Sequence, residues 1–200
     1  MSVNAIPLNL SAIADCDLVA RAIKGREDGF NELVRRYQRP IAAYVYRMVG
    51  DYDAALDLTQ EVFIKIYSSL ERYRPEFKFS TWIYKIAHNA SVDHLRRLSS
   101  REQALSTEVD GEEREMTVMS RKLSPEQEYA VEERRAEIER VVRQLPAVYR
   151  ELIILRHQHD LSYDEIAEVT SLPLGTVKNR LFRAREMMRQ QFVERGITGV

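Results

Sequence analysis

Cysteine is nearly missing from this chain of 200 residues: Cys16 stands alone, which excludes an internal disulfide and any zinc site built on several cysteines. Asp15 and Asp17 beside it disfavour the thiolate, so it reads as an unreactive residue. No apolar run approaches the ~18 residues that a membrane span requires. The amino end, MSVNAIPLNLSAIADC, lacks the basic start of a secretory signal, and the expected location is the cytoplasm. A phosphate-cradling glycine loop, a Cys-His or Ser-His set at readable spacing and a cluster of metal ligands are all absent as well. The chain therefore offers no enzyme's machinery and no cofactor or metal site. His157 and His159 in RHQHD read as the end of a helix, where a positive imidazole is favoured, rather than as metal ligands.

Strand signals are also scarce, whereas apolar residues recur at helical spacing in several segments, so the expected fold class is all-α. The hydrophobic fraction of 44% and charged fraction of 30% supply an ordinary core and surface. A formal net charge of −1 argues superficially against a nucleic-acid partner, but the charges are segregated. Arg72 to Arg97 is net +4, Ser99 to Glu139 is net −6, and Pro173 to Arg195 carries six basic residues against Glu186 and Glu194. Two positive patches flank a negative middle.

The periodicity predicts helices at about 16 to 24, 27 to 48, 52 to 73, 80 to 97, 126 to 144, 147 to 158, 162 to 169 and 174 to 192. Gly25, the Gly50-Asp51 pair and Pro75 punctuate the first half. The acidic stretch at 99–125 has no aromatic residue and little periodicity, and it is too long for a connection inside one compact domain. The expected organisation is a tail at 1–14, a helical domain at 15–98, the linker at 99–125, a second helical domain at 126–195 and a tail at 196–200.

SYDEIAEVTSLPLGTVKNRLFRARE, residues 162 to 186, holds two short amphipathic segments joined by a turn. Ser162 and Glu165 form a capping-box pair that starts the first helix at Tyr163, and Pro173 suits the start of the second. On the second helix Val177, Leu181, Ala184 and Met188 fall on one stripe, which predicts a core face. Lys178, Asn179, Phe182 and Arg183 fall opposite. Long donors around an exposed aromatic suit the major groove, where arginine meets guanine, asparagine meets adenine and an apolar group meets a thymine methyl. The shape is a helix-turn-helix; a solvated helical hairpin is the plain alternative.

In the first half, the segment from 52 to 73 places Leu56, Val62, Phe63, Ile66, Leu70 and Tyr73 on its expected core stripe. Asp57, Gln60, Glu61 and Ile64 fall outward, and Ile64 among carboxylates is either a chance exposed residue or the centre of a partner-binding patch. On the segment from 80 to 97, Ile83, Ile86, Ala87 and Ala90 form the core stripe. Trp82, Lys85, Asn89 and Arg96 line another face, an arrangement that suits single-stranded nucleic acid; Trp82 as a core anchor is the alternative. The preceding loop, RPEFKFS, sets Phe77 and Phe79 beside Lys78 where an unstacked base could be held.

At these residues the chain resembles the extracytoplasmic-function group of bacterial sigma factors, of the sigma-E type, through DLTQEVFIKIY at 57 to 67, FSTWIYKIAHNASVDHLRR at 79 to 97 and LSYDEIAEVTSLPLGTVKNRLFRARE at 161 to 186. The likeness runs from about Asp17 to Phe192. It implies a region-two domain and a region-four domain that direct core RNA polymerase to promoters, in a stress or envelope response and under an anti-sigma factor. By position, Asp57, Gln60, Glu61 and Ile64 would meet the beta-prime clamp helices, with the beta flap a second polymerase contact. Arg74, Phe77, Lys78, Phe79, Trp82, Lys85, Asn89 and Arg96 would melt and read the minus-ten element. Thr176, Lys178, Asn179, Arg180, Phe182 and Arg183 would read the minus-thirty-five element, and the acidic linker would run near the active centre toward the RNA exit path. Ser171 departs from the glycine that many such turns carry, and Lys178 and Asn179 depart from arginine and serine, which leaves the bound sequence open. A LuxR-type helix-turn-helix regulator is the rival reading; it needs an upstream domain of alternating strands and helices, for which the first half shows no pattern.

Overall fold

The computed structural model describes the backbone of residues 10–104 and 125–196, and side chains over 10–100 and 133–196. These residues form eight α-helices and no strand: α1 (Asp15–Ile23), α2 (Glu27–Val49), α3 (Tyr52–Ser69), α4 (Phe79–Ala104), α5 (Pro125–Gln144), α6 (Ala147–His157), α7 (Tyr163–Thr170) and α8 (Leu174–Glu194). The chain divides into two compact units, Met1–Leu105 and Ser106–Val200. The alternating strands and helices that a LuxR-type receiver would need are absent from the described part of the first unit. No helix among the described residues is long and apolar enough to cross a membrane.

In the first unit, α2 packs against α1, α3 and α4, and α3 also packs on α4. Close approach of α1 is possible because Gly29 has no side chain; a Cβ there would stand 2.6 Å from the Leu18 carbonyl oxygen. Gly50 ends α2 in the left-handed conformation at φ 80°, and Asp51 then caps α3 by accepting the Ala54 N–H at 2.7 Å. Leu33, Ile41, Val62, Ile66 and Ile83 are fully buried, each burial favouring the fold by about 1.5 to 3 kcal/mol.

The buried stripe of α3 runs through Ala55, Leu58, Thr59, Val62 and Ile66, so Leu56, expected inside, is 40% exposed. The reason is that α3 serves two neighbours, α2 and α4, and its stripe is centred one residue to the side of Leu56. The helix also stops at Ser69, sooner than its periodicity suggests. Ser68 and Ser69 hydroxyls turn back onto the Lys65 carbonyl, and Leu70–Arg72 tightens into a single 3-10 turn. At its other end α4 runs past the expected limit to Ala104, so the first residues of the expected linker are helical. The remainder of that linker, 105–124, lies outside the described residues.

A charged knot fastens residues 10–15 to α2. The Arg36 guanidinium donates to Asp15 Oδ1 at 2.6 Å, to the Leu10 and Ile13 carbonyls at 2.8 Å each and to Glu32 Oε1 at 3.0 Å. Arg35 adds two hydrogen bonds to Glu32. The hydrogen bond from Arg35 is the largest influence on Glu32; it outweighs the opposing effect of burial and, with Arg36, draws the pKa from 4.5 down to about 2. A carboxyl with a depressed folded-state pKa contributes stability that is complete above its unfolded value and is lost as pH falls through its folded value. Thermal melts of the native chain and Glu32→Gln should therefore differ fully above pH 4.5, and the gap should shrink as the pH approaches about 2. A gap that stays constant over that window would contradict the ion-pair assignment.

Candidate nucleic-acid interface

In the second unit, α6, α7 and α8 pack on one another, and α5 leans on α6 and α8. The expected capping box is present: Ser162 Oγ accepts the Glu165 N–H at 3.2 Å, and the Ser162 N–H donates to Glu165 Oε2 at 2.7 Å. Ile166 and Val169 are buried, and α7 ends when Ser171 turns left-handed at φ 55°, letting the Leu172 N–H reach back to the Ala167 carbonyl at 3.2 Å. Pro173 is the cap residue before α8 rather than its first residue, and its carbonyl receives the Thr176 and Val177 N–H groups.

On α8, Val177, Leu181 and Ala184 are fully buried, and Phe192 takes the deep position further along while Met188 is half-buried. Lys178, Asn179 and Arg183 are exposed, with Phe182 at 70%. Thr176 and Arg180 are half-buried at the edges of this face. Lys178 and Arg183 make no ion pair among the described residues, whereas Arg189 is neutralised by Glu186. Sequence reasoning missed the tie between the two helices of the motif: Arg185 donates to Tyr163 Oη at 3.2 Å, and the Arg156 guanidinium lies 5.4 Å from the centre of the same ring. His157 does end α6, but its charged form is disfavoured, first by desolvation and then by Arg185 and Arg156, so its pKa falls below 6.5.

In the first unit, Asp57, Gln60, Glu61 and Ile64 are all exposed on α3, Ile64 at 68%. Tyr67, one turn beyond Ile64 and 60% exposed, meets Phe30 edge-on at 4.9 Å and was not anticipated. A shallow cleft sets Asp57 and Glu61 against His94, Arg96 and Arg97 of α4. Arg96 is thus paired with Asp93 at 2.7 Å and lies nearer this cleft than the aromatic end of its helix.

Arg74, Lys78 and Asn89 are exposed, Phe77 is 49% exposed, and Trp82 and Lys85 are half-buried. Phe79 requires a correction. Expected to offer its ring to a base, it is 2% exposed and opens α4 from inside the core. Tyr37 and Tyr73 meet it edge-on at 5.4 and 5.5 Å, and Trp82 lies tilted against it at 5.7 Å. Phe79 is therefore the floor under the loop, and Phe77 is the ring in water. Trp82 anchors this cluster, tilted against Tyr73 and Phe79, while keeping some surface.

Sigma-70 region 2 matches residues 33–101, and Sigma-70 region 4 matches residues 135–188. The chain is 39% identical over 178 residues to the ECF RNA polymerase sigma-E factor of Escherichia coli K12, covering 87% of this chain and 92% of that one. It is 36% identical over 172 residues to the ECF RNA polymerase sigma factor SigW of Bacillus subtilis, covering 84% and 91%. Among solved structures, the sigma factor RpoE in complex with the anti-sigma factor NepR from Bartonella quintana is similar in fold at 19% identity, with a TM-score of 0.67 over 80% of this chain and 94% of that one. CnrH in complex with the cytosolic domain of CnrY is similar at 22% identity and a TM-score of 0.66, over 91% and 99%.

The left-handed Ser171 in the turn carries strain that glycine would relieve, at about 1 kcal/mol for a residue with a Cβ. Ser171→Gly should raise the thermal stability of the second unit by up to about 1 kcal/mol, and Ser171→Val, with its branched Cβ, should lower it. Equal melts across this series would contradict the turn geometry.

Proposed function

The chain belongs to the extracytoplasmic-function sigma factors of bacterial RNA polymerase, and we propose that its two units divide promoter recognition between them. Region-two work is assigned to residues 15–98 and region-four work to 126–195. In the first, Asp57, Gln60, Glu61 and Ile64 dock on the beta-prime clamp helices. Arg74, Phe77, Lys78, Trp82, Lys85 and Asn89 hold and open the minus-ten element, with Phe79 as support beneath the loop, and Arg96, further along α4, is assigned to the same strand. In the second, Lys178, Asn179, Phe182 and Arg183 enter the major groove of the minus-thirty-five element, flanked by Thr176 and Arg180, while the unit's remaining polymerase contact is the beta flap. An anti-sigma factor is the partner that holds the chain inactive, and the cytoplasm, where polymerase works, is its location.

The observation that carries this reading is Ile64, 68% exposed on a face of acids and amides that the core of the unit does not use. A self-sufficient DNA-binding regulator has no need of such a face. Burying Ile64 against a basic partner helix, with the carboxylates as an orienting rim, gives it one.

Ile64→Asp combined with Glu61→Lys should abolish co-purification with core polymerase while leaving the melt nearly intact, since exposed substitutions usually shift stability by within about 0.5 kcal/mol. Retained binding at native affinity would remove the docking face. On the second unit, Arg183→Ala should weaken binding to a duplex minus-thirty-five site by about 1 to 3 kcal/mol. Unchanged affinity in a gel-shift titration would remove Arg183 from the reading face.

A further inference from the structure

The loop between α3 and α4 stands mostly in water: Arg74, Pro75, Glu76 and Lys78 are exposed, and Phe77 is 49% exposed. Two of its hydrogen bonds engage the same residue. The Phe77 N–H donates to the Arg74 carbonyl at 3.1 Å, and Tyr73 Oη donates to the Phe77 carbonyl at 2.7 Å. Beneath the loop, the Tyr73 ring meets Phe79 at 5.5 Å and Trp82 at 5.6 Å. Phe79 rests in turn on Tyr37, whose hydroxyl is bonded to Asp15. The loop therefore has a packed aromatic floor and a side-chain tie across it, the Tyr73 hydroxyl.

We infer that Tyr73 is a positioning residue for the opened minus-ten strand: its hydroxyl pins the Phe77 carbonyl and so presets the loop, with the Phe77 ring and Lys78, to receive an unstacked base. This rests on the reading that the loop binds single-stranded DNA. A loop already held in its binding conformation loses less backbone freedom when the strand arrives. The hydroxyl also keeps its proton, because desolvation first, with the negative charges of Asp15 and Glu76 adding to it, raises its pKa above the ordinary 10.0. The tie is exposed, so its contribution to folding is small, whereas the ring below is part of the core packing.

Tyr73→Phe separates the two roles by removing only the hydroxyl. The probe is a short single-stranded DNA selected from a random pool by the native chain assembled with core polymerase. The variant holoenzyme should bind it about 3- to 10-fold more weakly, the loss of one net hydrogen bond, and should discriminate less between bases at its most selective position. The thermal melt and the affinity for a duplex minus-thirty-five site should match the native chain. Native affinity for the probe in Tyr73→Phe, with weakened binding in Phe77→Ala or Asn89→Ala, would overturn the clasp and leave the loop reading standing. Native affinity in all three variants would overturn both. A lowered melt in Tyr73→Phe with a parallel loss of duplex binding would show a general structural role and also overturn the clasp.

Discussion

Burying Val177, Leu181 and Ala184 fixes the rotation of α8 about its own axis. Successive residues are about 100° apart, so with that stripe inside, Lys178, Asn179, Phe182 and Arg183 face water. Much of the candidate surface follows from the same constraint. On α3, burial of Ala55, Leu58, Val62 and Ile66 turns Asp57, Gln60, Glu61 and Ile64 outward. On α4, burial of Phe79, Ile83, Ala87 and Ala90 leaves Asn89 exposed and Lys85 at the margin. Apolar packing, which is non-directional, thus aims polar side chains that act directionally.

Charge is distributed on the same plan. A net of −1 hides a basic α8 and a basic run through the loop and α4, separated in sequence by an acidic stretch. Some of the cations are engaged within the protein: Arg36 holds the amino end, Arg195 joins Glu137 and Gln144, and Arg189 joins Glu186. Lys178 and Arg183 have no such partner among the described residues and remain available to phosphates or base edges. Binding through such groups releases counterions, so promoter affinity in each unit should fall steeply with salt.

Features set by local rules were legible in the sequence. The Ser162 capping box, the Gly50-Asp51 junction and the stripe through Val177 all depend on residues within a few positions of one another. Features set by tertiary neighbours were not. Leu56 sits on an apolar stripe by spacing alone, but α3 divides its packing between two helices and excludes it. Phe77 and Phe79 look equivalent in RPEFKFS, whereas Tyr37, Tyr73 and Trp82 pack around Phe79 and bury that ring. The Tyr73 tie to the Phe77 carbonyl and the Arg185 to Tyr163 bond join groups whose separation in space the sequence pattern does not encode. The family likeness implied roles for whole faces; it could not say that Phe79 packs beneath the loop.

The central claim is that this chain confers promoter recognition on core polymerase, and run-off transcription tests it most directly. Purified core polymerase, the full chain and a linear template carrying a promoter selected by their complex should yield a discrete transcript of the length set by that promoter, with core alone yielding none. No transcript above core alone, or a transcript that appears only when a different sigma factor is supplied, would contradict the account and make the chain a DNA-binding regulator instead.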